Sequence, residues 1–136
     1  MAKGNSNQPN PSKGLSVVIA DGFDKIILSL KDLLELEDDL SVIGWATSEE
    51  DTISVIKRLD PDVIVMGMMK NEREGLDLAR SVTNQFPQTG IVFISVYSDG
   101  HYRKEAERAG VREYVALSEA GQALAPAVRS AVRVRA

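Results

Sequence analysis

The side chains that could do chemistry in this sequence are Asp21, Ser95 and His101, and the first two occupy informative positions. Each of the two directly follows or ends an apolar, β-branched run typical of a buried strand. A third run of this kind ends at Gly67, which has no side chain. Because the carboxyl ends of parallel strands share one edge of a sheet, Asp21, Gly67 and Ser95 are expected to lie together where ligands bind in such folds.

The chemistry available to these residues is limited. A lone carboxylate such as Asp21 is a weak magnesium site, and capping of the following helix is the favoured interpretation. Ser95 could donate a hydrogen bond to an oxyanion, but no base is evident beside it. Pairing with His101 would also need an orienting group and an oxyanion hole. We therefore expect no enzymatic activity, no metal and no cofactor.

Composition excludes several functional classes. The 136 residues contain no cysteine and one histidine, which removes disulfides, thiolate catalysis and two-histidine metal sites. A net charge of −4 argues against direct binding of nucleic acid. The sequence has no apolar run of membrane-spanning length and no signal peptide at its N-terminus. A cytoplasmic protein without membrane contact is the expectation.

Strand-like and helix-like segments alternate five times along the chain. Residues 1–14 are rich in Gly, Asn, Ser and Pro and are predicted to form a disordered leader. The predicted strands are 16–20, 40–45, 63–66, 90–95 and 113–116, with amphipathic helices between them. This order predicts an α/β fold, a doubly wound five-stranded parallel sheet in a single domain over residues 15–136.

Several helix boundaries carry their own signals. A capping box with Thr47 as its first residue is predicted to open the second helix, and Pro61 to end it. The third helix is predicted at 75–86, and Gly110 is predicted to end a helix at 102–109. Pro126 would cost about 3 kcal/mol inside a helix, so the last helix is predicted to begin near Ala125, after a loop from Ser118 onward, or to kink at that point.

A family resemblance rests on five short stretches: VVIAD, PDVIVM, Glu74-Gly75-Leu76, IVFIS and AGVREYV. Residues 15–133 resemble a response-regulator receiver domain, with the flavodoxin/CheY-like (βα)5 fold. The resemblance implies a chemistry of aspartate phosphorylation with Mg²⁺. In the family an acidic pair follows the first strand, the phosphoacceptor ends the third, and a Thr/Ser and a Lys contact the phosphoryl group.

Position by position, this chain departs from that pattern. The acidic pair falls on Asp21 and Gly22, the phosphoacceptor on Gly67, the Thr/Ser on Ser95 and the lysine on Leu117. A metal ligand, the acceptor and the lysine are therefore all absent. The resemblance thus implies a degenerate pseudo-receiver that cannot be phosphorylated, acting as a phosphorylation-independent module for protein–protein interaction and signalling.

The resemblance also implies a partner-binding face and leaves alternatives open. The family's switch aromatic falls on Tyr114, and Arg103, Lys104 and Arg108 would share its face, formed by helix 4, strand 5 and helix 5. A protein partner, an output domain or a second copy could bind there. One alternative is a regulatory N-terminal part of a larger protein, either a DNA-binding regulator or an ATPase of the pilus-assembly type. Another is a small-molecule or nucleotide site in the room vacated at Gly67.

Overall fold

A five-stranded parallel sheet forms the centre of the computed structural model, which describes residues 14–132. Its strands are β1 (Leu15–Ala20), β2 (Leu40–Ala46), β3 (Val63–Met66), β4 (Gly90–Ser95) and β5 (Glu113–Ala116). Their order is β2-β1-β3-β4-β5, and all neighbouring pairs are parallel. The predicted sheet is confirmed. Of the predicted leader, residues 1–13 lie outside the described part of the chain.

Helices cover both faces of the sheet. On one face lie α1 (Asp24–Glu35) and α5 (Ala120–Ala131), and on the other α2 (Glu49–Leu59), α3 (Glu72–Gln85) and α4 (Arg103–Arg108). Successive strand residues face opposite layers, so Val17 and Ile19 pack with α1 and α5 while Val18 and Ala20 pack on the other side. Every residue of β3 is buried. This single domain is the predicted doubly wound α/β fold.

Two helices begin at residues that differ from the predicted ones. The N-cap of α2 is Ser48, whose hydroxyl accepts a hydrogen bond from Asp51 N at 3.1 Å, so the prediction of Thr47 is wrong by one residue. α3 begins at Glu72 and not at Gly75, because Asn71 caps it by accepting from Glu74 N at 2.9 Å. The three extra residues place Glu72 over the sheet edge.

The prediction that the last helix begins near Ala125 is wrong. α5 begins at Ala120, after a 3₁₀ turn at Leu117–Glu119, and it contains Pro126. The physical reason is the apolar stripe of α5, in which Ala120 and Leu124 are buried against the sheet upstream of the proline. Pro126 itself is exposed, so water can satisfy the carbonyl that its missing N–H leaves without a partner.

The remaining helix ends agree with the predicted signals. α2 ends at Leu59, and Asp60 before Pro61 adopts a left-handed conformation with φ of 46°. α4 is one residue shorter at each end than predicted, and Gly110 after it has φ of 97°. A glycine is the residue that tolerates this conformation, so its role as the helix stop is confirmed.

Candidate functional site

The strand ends bring the predicted residues together at the carboxyl edge of the sheet. Gly67 N donates to Ala20 O at 3.0 Å, which sets the end of β3 directly beside Asp21. Ser95 ends the neighbouring strand β4, and Leu117 follows the end of β5. Since β3 lies between β1 and β4, Gly67 is at the centre of the candidate site.

Asp21 is a buried carboxylate with one bonded oxygen. Its side chain belongs to a residue that is only 3% exposed, and Oδ1 accepts from Phe23 N at 2.9 Å. Phe23 is the N-cap of α1, so Asp21 supports the turn before the helix and does not cap it, which corrects the expected role. Burial raises the pKa of Asp21 to about 6, the bond from Phe23 opposes that rise, and the charge of Glu72 adds to it.

The space at Gly67 is already filled. A Cβ added at Gly67 would collide with Oδ2 of Asp21. The Asp21 carboxylate therefore lies beside Gly67, and a ligand at this position, which stays a prediction, would need that carboxylate to turn aside.

Gly22 is packed against the loop between β3 and α3. Its N–H donates to Met68 O at 2.9 Å, and a Cβ at this position would collide with the carbonyl oxygen of Met69. A second acidic side chain at position 22 would need that loop to move. The magnesium site implied by the resemblance does not fit these residues, since positions 22 and 67 offer no side chain. Within residues 14–132, no three His, Cys, Asp or Glu side chains form a cluster able to hold a metal ion.

Glu72 is a residue of the candidate site that was not predicted from the sequence. It is the first residue of α3 and only 4% exposed. Its Oε1 accepts from Val96 N at 3.1 Å, and its Oε2 accepts from Ser95 Oγ at 3.3 Å. Burial raises the pKa of Glu72, while the hydrogen bonds from Val96 and Ser95 and the charge of His101 oppose the rise.

The signal that could have identified Glu72 is Asn71, a strong N-cap residue directly before it. Ser95 accordingly has a carboxylate beside it, although none was expected there. Its hydroxyl also accepts from Tyr97 N at 3.1 Å. His101 packs against the rings of Tyr97 and Tyr102, with centroids 5.4 and 4.7 Å away, and no hydrogen bond joins it to Ser95 in the part of the chain that the structure describes.

An apolar cavity of about 500 Å³ opens beside Asp21. Its apolar walls are Phe23, Ile26, Met68, Ile94, Val96 and Leu117. Leu117 therefore contributes hydrocarbon where the family resemblance placed a lysine. The exposed side chains of Asp24 and Lys25 also line the cavity. Met66 and Met69, on either side of Gly67 in the sequence, are buried.

The predicted switch and interface residues lie on one side of the site. Tyr114 stacks on Phe93 with ring centroids 6.0 Å apart, and its hydroxyl oxygen accepts from Tyr102 N at 3.3 Å. The guanidinium of Arg103 lies 4.9 Å from the centre of the Tyr114 ring. Lys104 and Arg108 are exposed on α4. Arg103 and Tyr114 are thus in contact, and Lys104 and Arg108 lie on the helix of Arg103, which also carries Glu105 and Glu107.

Across residues 14–132, no helix combines the length and the apolar character that crossing a membrane requires.

Known proteins with similar sequences are bacterial regulators. DesR, a transcriptional regulatory protein of Bacillus subtilis, is 30% identical over 118 residues, which is 85% of this chain and 57% of DesR. The transcriptional regulatory protein YhcZ of the same organism is 29% identical over 74% of this chain and 47% of its own length. The chain thus spans about half the length of the curated relatives it matches.

Solved structures agree with the fold at low sequence identity. The response regulator domain of Thermotoga maritima CheB superposes with a TM-score of 0.77 at 20% identity, covering 90% of this chain and 99% of that domain. The signal receiver domain of NarL from Mycobacterium tuberculosis gives 0.70 at 20% identity, covering 85% of this chain and 97% of that one. The model of the response regulator receiver domain family matches residues 17–129. The chain belongs to the response regulator receiver domain family of two-component signalling.

Proposed function

We propose that this chain is a degenerate receiver that works as a phosphorylation-independent module for protein–protein interaction and signalling. The main observation that supports this proposal concerns Gly67, which stands at the position of the family's phosphoacceptor. It offers no carboxylate, and the carboxylate of Asp21 occupies the space that a side chain would need. Leu117 supplies no cation for a phosphoryl group, and Gly22 supplies no metal ligand.

Glu72 supports the view that the module has a fixed state. In the family, the Thr/Ser at the Ser95 position contacts the phosphoryl group. Here the Ser95 hydroxyl and the Val96 amide already donate to the two oxygens of one internal carboxylate. A phosphoryl group would therefore gain little by recruiting Ser95. A ligand without differential affinity for two states shifts no population between them, so the module is constitutive or switched by its partner.

The surface around α4 is the proposed partner face. Arg103, Lys104 and Arg108 outnumber Glu105 and Glu107 on α4, on a protein whose net charge is −4, and Tyr114 adds aromatic area. Such a face complements an acidic surface on a protein partner, an output domain or a second copy of this chain. Charge reversal at Lys104 and Arg108 should weaken that contact, whereas reversal at Lys57 and Arg58 on α2 serves as the matched control.

A second candidate follows from the lengths of the relatives. Because the chain spans 57% of DesR and 47% of YhcZ, it can correspond to the regulatory part of a longer protein. The names of both relatives describe transcriptional regulatory proteins, which favours a DNA-binding regulator over an ATPase of the pilus-assembly type. In either case the module itself has no enzymatic activity and needs no cofactor. Its contribution is the partner face.

The test of phosphorylation independence is direct. The chain is incubated with acetyl phosphate and Mg²⁺ and its intact mass is measured, and ¹H–¹⁵N spectra are recorded with and without beryllofluoride. We expect an unchanged mass and unchanged amide resonances at Ser95 and Val96. The matched control is the double variant Gly67→Asp/Leu117→Lys, which supplies the acceptor and the lysine and leaves the packed Gly22 unchanged. A mass gain of one phosphoryl group on the unaltered chain, or a beryllofluoride-dependent shift at Ser95, contradicts the proposal.

A further inference from the structure

The cavity beside Asp21 combines apolar walls with an unpaired buried acid. Asp21 lines this cavity of about 500 Å³, is 3% exposed, and uses only Oδ1 in a hydrogen bond. Oδ2 has no hydrogen-bond donor and no cationic partner among residues 14–132. An unpartnered carboxylate oxygen in an apolar setting is costly unless something bound there compensates it.

The charges around the cavity favour a positively charged ligand. Asp24 and Lys25, both exposed, line the cavity as well, and their formal charges cancel. Asp21 remains as the uncompensated charge of the lining. Glu72 adds negative potential nearby, because its charge contributes to the raised pKa of Asp21. A single positive charge on the ligand would balance the lining residues.

We propose that this cavity binds a small hydrophobic amine, with its ammonium group paired to Oδ2 of Asp21 and its apolar body against Phe23, Met68 and Leu117. Two features of the site match such a ligand. A cavity of about 500 Å³ accommodates a bicyclic aromatic ring, and the exposed ring of Phe23 can cover one face of it. The charge-assisted bond would form away from bulk water, where it is stronger than at an exposed site.

This inference goes beyond the proposed function and can fail separately from it. Phosphorylation independence depends on the absence of an acceptor at Gly67, a metal ligand at Gly22 and a lysine at Leu117. Amine binding depends on Asp21 and the apolar walls of the cavity. A chain that gains no phosphoryl mass and binds no amine leaves the first proposal standing and overturns the second.

The experiment compares three indoles of similar shape and different charge on the full chain at pH 7.5. Tryptamine is the cation, tryptophol the neutral analogue and indole-3-acetate the anion. Affinities come from calorimetry and the binding position from ¹H–¹⁵N shifts. We expect tryptamine to shift the amides of Phe23, Val96 and Leu117 and to bind about tenfold or more tightly than tryptophol. Indole-3-acetate should bind most weakly. Equal affinities, no shifts, or strongest binding of the acid overturns the proposal.

Variants at positions 21, 24 and 117 test whether the Asp21 carboxylate binds the ammonium group. Asp21→Asn should lower the affinity for tryptamine by about tenfold or more and leave that for tryptophol unchanged, whereas Asp24→Asn should change the affinity for tryptamine by less than about threefold. Leu117→Lys serves if Asp21→Asn fails to fold, because it places an ammonium group in the same cavity and should abolish tryptamine binding. Retained affinity in Asp21→Asn or in Leu117→Lys contradicts the assignment, as does an equal loss in Asp24→Asn.

Discussion

The carboxylates at the two ends of the sheet differ in burial and in their cationic partners. At the carboxyl edge, Asp21 and Glu72 are buried, and no cationic side chain bonds to either among residues 14–132. At the other end, Asp39 is exposed and bonds through both oxygens to Arg129 of α5 at 2.8 Å, while Glu37 accepts from the same guanidinium at 2.6 Å.

The pKa directions follow this contrast. Burial raises the pKa of Asp21 and Glu72, whereas the hydrogen bond from Arg129 lowers that of Asp39. Arg129 forms a bidentate ion pair with Asp39 and a second pair with Glu37, and because all three side chains are exposed their contribution to stability is small. Isolated acids at the carboxyl edge instead reduce stability at neutral pH. Buried ionisable groups with shifted pKa values are concentrated at functional sites. The carboxyl edge is therefore the candidate site, and the opposite end is not.

The largest expected effect is at Gly22. In Gly22→Ala the new Cβ would collide with the backbone carbonyl of Met69, so the loop after β3 must move, at a cost of about 2–3 kcal/mol of unfolding free energy. Urea denaturation measures the loss. The matched control is Gly121→Ala in α5, where a Cβ meets nothing within 4 Å and should stabilise the helix by about 0.5–1 kcal/mol. Equal effects at the two positions would mean that the loop does not press on Gly22.

The second effect concerns the acceptor role of Glu72. Glu72→Ala leaves Val96 N–H and the Ser95 hydroxyl without their acceptor, at an expected net cost of about 1–2 kcal/mol, since the buried charge is removed as well. Glu72→Gln keeps a side-chain oxygen for Val96 and should cost less than about 0.5 kcal/mol. Hydrogen exchange at Val96 should accelerate in the alanine variant alone. Unchanged exchange of the Val96 amide would mean that Glu72 does not accept its hydrogen bond at the end of β4.

Glu72 also marks the limit of prediction from the sequence. The strands were predictable because runs such as 63–66 are short, β-branched and buried on both sides, and Asp21, Gly67 and Ser95 follow from the ends of those strands. Glu72 was not, because its burial depends on α3 starting three residues early and crossing the edge above β4. Likewise the start of α5 depends on tertiary burial of Ala120 and Leu124, which outweighs the local signal of Pro126.

The third effect is a change in pH dependence at Asp21. The folded-state pKa of about 6 exceeds the ordinary value of 3.8, so between these values the folded chain holds a proton that the unfolded chain has lost. The stabilising contribution of Asp21 to the free energy of unfolding is therefore fully present below about pH 4, and it is lost as the pH rises through about 6. The shift sets an upper bound of about 3 kcal/mol on this contribution.

Asp21→Asn removes that titration and retains an oxygen for Phe23 N. We expect a gain of about 1 kcal/mol at pH 7 and none at pH 4, measured by urea denaturation at both values. The control is Asp24→Asn, which alters an exposed carboxylate on the same turn. A variant that is less stable than the parent at pH 7 would mean that Asp21 has a cationic partner in solution.

The smallest effect belongs to the opposite end of the sheet. Arg129→Gln removes the cation that Asp39 and Glu37 share, and because all three side chains are exposed the loss should be small and should vanish in 1 M NaCl. Its pH dependence has the opposite sign to that of Asp21. The lowered pKa of Asp39 gives stability that is present above its unfolded pKa and lost as pH falls through the folded value. Thermal unfolding at low and high salt measures the difference, with Arg80→Gln on α3 as the control. A loss that persists in high salt would mean that Arg129 holds α5 by packing, and the contrast between the two ends would then be one of burial rather than of charge.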